Sequence, residues 1–179
     1  MKIAIGCDHT VVDLKEQIIE YLKSKNIIVL DCGCYNKVST HYPIFGRSVG
    51  ILVSKKKVDF GICLCGTGIG ISNACNKVKN VRCVLATNIL ICKKARELFD
   101  ANVLAFGGRI ISIGLIQNMI DVFLSTQYLG KYPELVEAID NQIKVTNTSK
   151  TLFNSLLKQW YQGFFTDGIE KEETELPRY

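Results

Sequence analysis

Short apolar runs alternate along most of the chain with segments in which apolar residues recur every three or four positions. Short continuous runs are typical of strands covered on both faces of a parallel sheet, whereas the wider spacing is typical of helices that pack on such a sheet. The alternation predicts an α/β fold, a three-layer sandwich in which five mainly parallel strands lie between helices and are joined by right-handed crossovers. The predicted strands are residues 1–6, 27–30, 60–64, 81–86 and 101–106, and the predicted helices are 12–23, 42–54, 71–78, 89–99 and 113–125.

The pattern changes after Gly130, where two more helices are predicted without a strand between them, at 134–145 and 151–161. The second of these carries an apolar stripe at helical spacing. The stripe consists of Leu152, Phe153, Leu156, Leu157 and Trp160. We therefore expect a main domain at 1–130 and a C-terminal helical arm at 131–179 that packs either on its own core or on a partner subunit.

The predicted strand at 60–64 ends abruptly in the glycine loop, Cys65-Gly-Thr-Gly-Ile-Gly70. Its three glycines allow a tight turn and leave backbone N–H groups exposed, and the predicted helix that follows presents its positive end to the same place. A phosphate group or an enediolate oxygen would be stabilised there. The spacing departs from the dinucleotide-binding Gly-x-Gly-x-x-Gly and from the Walker pattern, so neither is predicted. A tight strand-to-helix turn without a ligand is the alternative.

Composition narrows the class of protein. A chain of 179 residues, 47% of them apolar, is long enough to bury one full hydrophobic core. Its net charge of +5 is modest and scattered, apart from the three lysines at 55–57. Such a surface suits anionic small molecules and does not indicate nucleic-acid binding. No apolar run approaches the roughly 18 residues of a membrane span, so no membrane partner is expected.

The eight cysteines do not indicate disulfides or a metal site. The N-terminus begins directly with a predicted strand and shows no leader sequence, so we expect a reducing, cytoplasmic location in which most cysteines are small buried hydrophobes. Cys63, Cys83 and Cys92 lie inside apolar runs, as that role requires. The Cys-x-Cys pairs at 32–34 and 63–65 have the wrong spacing for zinc, and the chain has only two histidines, so no metal is expected.

Reactive side chains follow two of the predicted strands, at the positions where open α/β sheets bind ligands. Cys65 lies between a strand and a helix, an electropositive setting that favours a thiolate able to act as a nucleophile or a base. A buried structural cysteine is the alternative. Asp8 and His9 follow the first strand and are expected to form an oriented acid–base or phosphate-binding pair. A lone satisfied histidine is an equal alternative for His9, and His41 is assigned to the surface.

Six segments, in order along the chain, carry a family resemblance: Gly6-Cys-Asp-His9, Thr40-His-Tyr-Pro43, the glycine loop, Asn76-Lys77, Arg82 and Asn102-Val-Leu-Ala-Phe-Gly-Gly-Arg109. Together they resemble the ribose-5-phosphate isomerase B and galactose-6-phosphate isomerase family. Residues 41–46 and 156–163 are similar to the B-type subunits of its hetero-oligomeric members. The resemblance implies a Rossmann-like fold, active sites at subunit interfaces, and isomerisation of a sugar phosphate through a cis-enediol without a cofactor.

The resemblance also implies roles for residues at the matching positions. Cys65 would abstract the proton that moves between C2 and C1, and Thr67 would handle the hydroxyl proton. The enediolate oxygens would be held by backbone N–H groups of the glycine loop, at Gly66, Gly68, Ile69 and Gly70. The side chains implied to contact the substrate are Asp8 and His9, at the ring oxygen, hydroxyls or phosphate, and Tyr42 and Arg109, as secondary contacts.

The chain also departs from the family pattern. Type B ribose-5-phosphate isomerases carry a ring-opening histidine and an asparagine where this chain has Leu98 and Phe99. They carry two phosphate-binding arginines in a later segment, where Lys131 is the only cation here. A-type subunits of the hetero-oligomeric members supply those groups but lack the cysteine, so the losses predict an A-type partner. Against this, Ser39 and Thr87 stand where B-type subunits usually carry arginine.

Other functions stay open. Acting alone, the chain would be a ribose-5-phosphate isomerase, and a homodimer in isolation is compatible with the resemblance. A catalytically silent subunit that binds sugar phosphates is a third alternative. A nucleotide-binding module is disfavoured because the dinucleotide fingerprint is missing.

Overall fold

The structure of the protein, a computed structural model, describes residues 1–142. Strands alternate with helices along most of this range. The strands are β1 (Lys2–Cys7), β2 (Ile28–Asp31), β3 (Phe60–Cys65), β4 (Cys83–Leu85) and β5 (Val103–Gly107). The helices are α1 (Val12–Ser24), α2 (Tyr42–Ser54), α3 (Ile69–Cys75), α4 (Ile89–Phe99), α5 (Ile113–Ser125) and α6 (Pro133–Glu137). A 3₁₀ turn at His9–Val11 precedes α1, and a π-helical turn at Ala138–Gln142 follows α6.

The five strands form one parallel sheet in the order β2-β1-β3-β5-β4. The register places Cys63 of β3 between Gly6 of β1 and Ala105 of β5. Right-handed crossovers place α2 and α3, which pack together, on one face, and α1, α4 and α5 on the other. The predicted α/β sandwich is therefore confirmed, and the sheet is parallel throughout rather than mainly parallel.

Helices α2, α4 and α5 occupy the predicted residues, whereas the other elements predicted before Gly130 begin or end one to three residues away from their predicted limits, among them α3 and β4. The short α3 begins and ends earlier than predicted because the left-handed backbone of Gly68, at φ 78°, already turns the chain into the helix. Strand β4 is shorter than predicted because its ladder begins only after Arg82. The Arg82 N–H donates to the side-chain oxygen of Asn102 rather than to a strand carbonyl.

The C-terminal part of the chain is described only at its start. Helix α6 and the π-helical turn cover the first part of the helix predicted at 134–145, and Asp140 in that turn pairs with Arg82 of the core at 2.6 Å. The rest of that helix, the helix predicted at 151–161 and its apolar stripe lie outside the described residues. The division into a main domain and a C-terminal arm therefore stays a prediction.

The core fills both faces of the sheet. Every residue of β5 is buried, and the rings of Phe60 and Phe123 pack edge to face with centroids 5.3 Å apart. All eight cysteines lie within the described residues, are buried and carry free thiols, in agreement with their predicted role as small hydrophobes. None of the helices in residues 1–142 combines the length and the apolarity that a membrane crossing requires.

Helices α2 and α3 approach closely because α2 presents glycines where the two touch. A Cβ at Gly46 would lie 2.7 Å from the carbonyl oxygen of Ile71, and a Cβ at Gly50 would lie 3.3 Å from the carbonyl oxygen of Cys75, the last residue of α3. A spacing of four residues puts both glycines on one face of α2. The contact bears on function because α2 begins at Tyr42 and α3 begins inside the glycine loop.

We expect Gly46→Ala to destabilise the protein, because the added methyl group meets a backbone oxygen that has no rotamer to change. Overpacking of this kind costs about 1–3 kcal/mol, which exceeds the gain of about 1 kcal/mol from replacing a helical glycine. The free energy of unfolding in urea measures the balance. Gly114→Ala in α5 is the matched control, since a Cβ there has no heavy atom within 4 Å. Equal stability of the two variants would contradict the close-packing account.

Candidate functional site

The carboxyl ends of β1, β3 and β5 meet on one side of the sheet, which we call the carboxyl edge; the side where the strands begin is the amino edge. The crossovers that leave β1 and β3 run in opposite directions, and such a reversal opens a ligand-binding crevice in α/β sheets. Beyond the sheet, the Asp8 N–H donates to the Leu64 carbonyl at 3.2 Å, and the Gly108 N–H donates to the Cys65 carbonyl at 2.9 Å. The three strand ends therefore stay joined at the crevice.

The glycine loop encloses the thiol of Cys65 at the carboxyl edge. The residue is only 4% exposed, and its Sγ accepts a hydrogen bond from the Gly68 N–H at 3.1 Å. The Ile69 N–H donates to Oγ1 of Thr67 at 3.3 Å, and both of these residues are exposed. An N–H donor aimed at the sulfur suits chemistry in which the sulfur carries negative charge.

Two glycines let the loop touch the end of β5. A Cβ at Gly68 would lie 2.7 Å from the carbonyl carbon of Phe106 and 2.8 Å from the backbone nitrogen of Gly107. A Cβ at Gly107 would in turn lie 2.6 Å from the carbonyl oxygen of Thr67. The loop and the strand are therefore in direct backbone contact, which residues larger than glycine would prevent at both positions.

Tyr42 and Arg109 both lie against the glycine loop. The ring of Tyr42, at the start of α2, covers Gly70, where an added Cβ would lie 2.5 Å from the ring Cζ. The Arg109 side chain passes over Gly66, with its Cδ 3.5 Å from the place that a Cβ would take, and its backbone N–H donates to the Gly66 carbonyl at 3.1 Å. A phenol and a guanidinium group thus flank the loop.

The hydrogen bonds of Asp8 and His9 go to threonines rather than to each other. The Asp8 carboxylate is buried, and its Oδ1 accepts from the Thr10 N–H at 3.0 Å and from the Thr10 hydroxyl at 2.5 Å. His9 Nδ1 lies 3.0 Å from the Thr40 carbonyl oxygen and 3.1 Å from the Thr40 nitrogen, and its tautomer decides whether it donates or accepts. The backbone of Thr40, not a carboxylate, orients His9.

The prediction that His41 is a surface residue is wrong, because its side chain is partly buried near His9. Burial lowers the pKa of His41 below its ordinary value of 6.5, and the neighbouring His9 lowers the pKa further. The folded chain therefore binds the His41 proton less readily than the unfolded chain does. Acidification through and below the ordinary pKa favours unfolding, whereas at neutral pH His41 is uncharged and this effect is absent.

The residues that stand in place of the family's histidine, asparagine and arginines lie at the amino edge. Leu98 and Phe99 end α4, and the Phe99 carbonyl accepts a hydrogen bond from Arg82 Nε, just before β4, at 3.1 Å. The Leu129 N–H donates to a carbonyl in the last turn of α4 at 3.0 Å, which brings the segment that leads to Lys131 to the same edge. A strand of six residues spans about 20 Å, so the length of the sheet separates these positions from the glycine loop of the same chain.

The two positions where B-type subunits usually carry arginine lie nearer to the glycine loop. Ser39 is half-buried and directly precedes Thr40, whose backbone holds His9. Thr87 is exposed and follows β4 at the carboxyl edge. An effect of serine and threonine at these two positions on substrate choice stays a prediction.

Sequence analysis missed the two threonines that hold Asp8 and His9. Thr10 follows Asp8 by two residues, the spacing at which an aspartate caps its own turn, so a local signal was present. Thr40 is separated from His9 by 31 positions, and no local pattern joins them. Their contact exists only because the connection before α2 returns to the end of β1.

A thiol, a hydroxyl, a carboxylate, an imidazole and a guanidinium group thus surround a loop of backbone N–H donors. A candidate base beside donors for a developing oxyanion suits proton transfer on a small anionic substrate. Within residues 1–142, no three His, Cys, Asp or Glu side chains are arranged to hold a metal ion.

Comparison with known proteins agrees with this chemistry. The family profile described as Ribose/Galactose Isomerase matches residues 3–139. The chain is 45% identical over 168 residues to galactose-6-phosphate isomerase subunit LacB of Clostridium acetobutylicum, an alignment that covers 91% of this chain and 97% of that protein. It is 39% identical over 139 residues to ribose-5-phosphate isomerase B of Escherichia coli, with 77% of this chain and 93% of that protein covered.

Solved structures of ribose-5-phosphate isomerase B share the fold. The Clostridium thermocellum protein superposes with a TM-score of 0.77 at 38% identity, over 79% of this chain and 97% of that one. The Thermotoga maritima protein superposes with a TM-score of 0.75 at 38% identity, over 78% and 97% of the two chains. The profile match over most of the chain and the identity to LacB over nearly all of it show that this chain belongs to the ribose/galactose isomerase family.

Proposed function

We propose that the protein is the B subunit of a galactose-6-phosphate isomerase, which interconverts galactose 6-phosphate and tagatose 6-phosphate and needs an A-type subunit to complete its active site. The observation that carries the proposal is the division of functional positions between the two edges. Cys65 and its loop lie at the carboxyl edge, whereas Leu98, Phe99 and Lys131 occupy the amino edge. Similarity to LacB over 91% of the chain supports the choice of enzyme.

The reaction moves one proton between neighbouring carbons. Once the sugar ring is open, the Cys65 thiolate takes the proton from C2, the new C1–C2 double bond forms, and the carbonyl electrons move to O1. Backbone N–H groups of the glycine loop hold the resulting cis-enediolate. Thr67 passes the O2 proton to O1, and the Cys65 thiol returns its proton to C1, which yields the ketose. Atoms and electrons balance without a cofactor.

Substrate binding draws on the groups around the loop. The Asp8 carboxylate is engaged by Thr10, so its part is to shape the end of β1 and to meet a substrate hydroxyl with its second oxygen. His9 uses Nδ1 for Thr40 and turns Nε2 to the substrate. Arg109 offers a permanent positive charge to the hydroxyls or the phosphate.

The missing groups come from a second polypeptide. Ring opening requires a proton donor for the ring oxygen, and neither Leu98 nor Phe99 has a proton to give. Lys131 lacks the two-pronged geometry with which arginine grips a phosphate. A side chain at the amino edge completes the active site of another subunit, because the length of the sheet separates it from the glycine loop of its own chain. The LacB relative is named as one subunit of its enzyme, and we infer the same arrangement here.

A second candidate is a type B ribose-5-phosphate isomerase that acts alone. The 39% identity to the Escherichia coli enzyme and the TM-score of 0.77 to the Clostridium thermocellum enzyme favour it. Both candidates share the proton transfer at Cys65. They differ in the substrate and in the need for a partner, so turnover of ribose 5-phosphate by the isolated chain separates them.

We expect Cys65→Ser to lower kcat of the complex with the A-type subunit by about 10²–10⁴-fold, the usual contribution of a general base. Serine keeps nearly the same volume at this buried position and can still accept the Gly68 N–H, so the fold and the assembly should persist. Steady-state kinetics on galactose 6-phosphate and thermal melting measure the two properties together.

Cys63→Ala is the control for Cys65→Ser. Cys63 is fully buried two residues earlier on β3 and makes no contribution to the loop, so its loss should reduce the melting temperature and leave the turnover of the folded fraction intact. If both variants lose activity to the same degree at equal stability, Cys65 does not have the proposed role.

We expect the isolated chain to show little turnover of galactose 6-phosphate or ribose 5-phosphate, because one subunit lacks the ring-opening and phosphate-binding groups. Addition of an A-type subunit should restore activity in proportion to the complex formed. The measurement is a titration of one purified subunit with the other, with the composition of the active species read by native mass spectrometry. Substantial turnover by the pure chain alone would refute the requirement for a partner.

A further inference from the structure

The ammonium group of Lys15 is buried in the layer between α1 and the sheet. The side chain has no exposed surface, and Nζ lies 2.6 Å from Oδ2 of Asp31 and 3.1 Å from Oε1 of Glu16. The ring of Tyr35 covers it, with its centroid 4.8 Å from Nζ. Glu16 is half-exposed, so the interaction with Asp31 at the end of β2 is the more enclosed of the two.

The pair is not explained by stability alone. Burial lowers the pKa of Lys15, but the hydrogen bond and charge of Asp31, together with smaller effects of Glu16 and Cys7, more than reverse that effect, so the pKa is raised and Lys15 is a cation. Desolvation of two charges offsets most of their attraction, and well-packed apolar side chains often stabilise such a position equally well. A role in fixing local geometry is therefore the more informative explanation.

Asp31 fixes the connection that follows β2. Its Oδ1 accepts from the Gly33 N–H at 2.9 Å, and its backbone carbonyl accepts from the Tyr35 hydroxyl at 3.1 Å. The Gly33 carbonyl then accepts from the Cys7 N–H at 2.6 Å, and the Cys34 N–H donates to the Cys7 carbonyl at 2.8 Å. The buried ion pair is thus joined to the last residue of β1.

His9 is attached to this connection from both directions. Through the main chain it follows Cys7 by two residues. Through its Nδ1 it is bound to the backbone of Thr40, at the far end of the same connection. The residues that Asp31 holds are therefore connected to the imidazole by two routes, through Cys7 and through Thr40.

We propose that Lys15 is a positioning residue for the sugar-phosphate site, which acts through Asp31 and the 31–40 connection to hold the His9 imidazole in one orientation. Lys15 touches no substrate. The expected effect on turnover rests on the proposed function, whereas the effect on His9 is measured in the full-length chain without any substrate.

The first experiment reads the imidazole of His9 by nitrogen-15 NMR in the full-length chain. The chain has only two histidines, and His9→Asn assigns the signals. The variants are Lys15→Arg, Lys15→Gln and the double variant Lys15→Met with Asp31→Leu, which removes the pair without leaving a lone buried charge. We expect one fixed tautomer of His9 in the wild-type protein and in Lys15→Arg. The other two variants should show averaged ring-nitrogen shifts.

Lys25→Met is the matched control. Lys25 pairs with Asp121 at 2.8 Å and lies 4.7 Å from the centroid of the Tyr21 ring, so the same three residue types meet away from the 31–40 connection, in a pair that is 40% exposed rather than buried. It should leave the His9 signals unchanged. Unchanged His9 signals in the folded double variant would overturn the proposal. A chain that folds only with a cation at position 15 would also overturn it, since Lys15 would then be needed for folding alone.

The second experiment measures turnover of galactose 6-phosphate by the complex with the A-type subunit. A misplaced contact of about 1 Å costs up to roughly 10²-fold in rate, so we expect kcat/KM to fall by about 10- to 100-fold in Lys15→Gln and to recover in Lys15→Arg. Wild-type kcat/KM in Lys15→Gln beside altered His9 signals would overturn the catalytic part. An inactive wild-type complex would contradict the proposed function instead, and the NMR comparison would still decide the positioning role.

Discussion

The direct backbone contact between the glycine loop and the end of β5 is the constraint on which the carboxyl edge depends. Gly68, which has a positive φ, lies so close to Gly107 that a Cβ at either glycine would overlap backbone atoms of the other segment. The turn at Gly68 aims an N–H at the sulfur of Cys65 and starts α3. It also sets the place of Arg109, which follows Gly107 by two residues and passes over the loop. One steric relation thus arranges a thiol, a row of donors and a cation.

The sequence predicted the limits of an element correctly where neighbouring residues determine where it begins and ends. Helix α4 occupies the predicted residues because Asn88 caps its first turn and Asp100 ends it in a left-handed conformation. The limits of β4 depend instead on a side chain about twenty positions away, Asn102, so periodicity could not supply them. The residues of the candidate site likewise divide into those that are neighbours in the sequence and those that only the fold brings together. Cys65 and its loop are contiguous, and the pattern indicated them directly.

The long-range contacts of the site were invisible in the sequence. The partner of His9 and the burial of His41 arise from the connection between β2 and α2, which folds back onto the end of β1, and Lys15 is enclosed by Asp31, the residue of β2 at which that connection begins. The residues in these contacts are not separated by a characteristic number of positions, so no sequence motif could reveal them. Irregular connections often place functional groups on a regular scaffold, and their contacts follow from the fold rather than precede it.

The burial of all eight thiols has a consequence for how the protein behaves at high concentration. A disulfide between molecules requires that two sulfur atoms meet at the surface, and none of these is presented there. Although the chain is unusually rich in cysteine, it therefore has little tendency to aggregate through intermolecular disulfides while it stays folded. Cys65 shares this enclosure, since only 4% of its surface is exposed, so a thiol-directed reagent has little direct access to its sulfur in the folded protein.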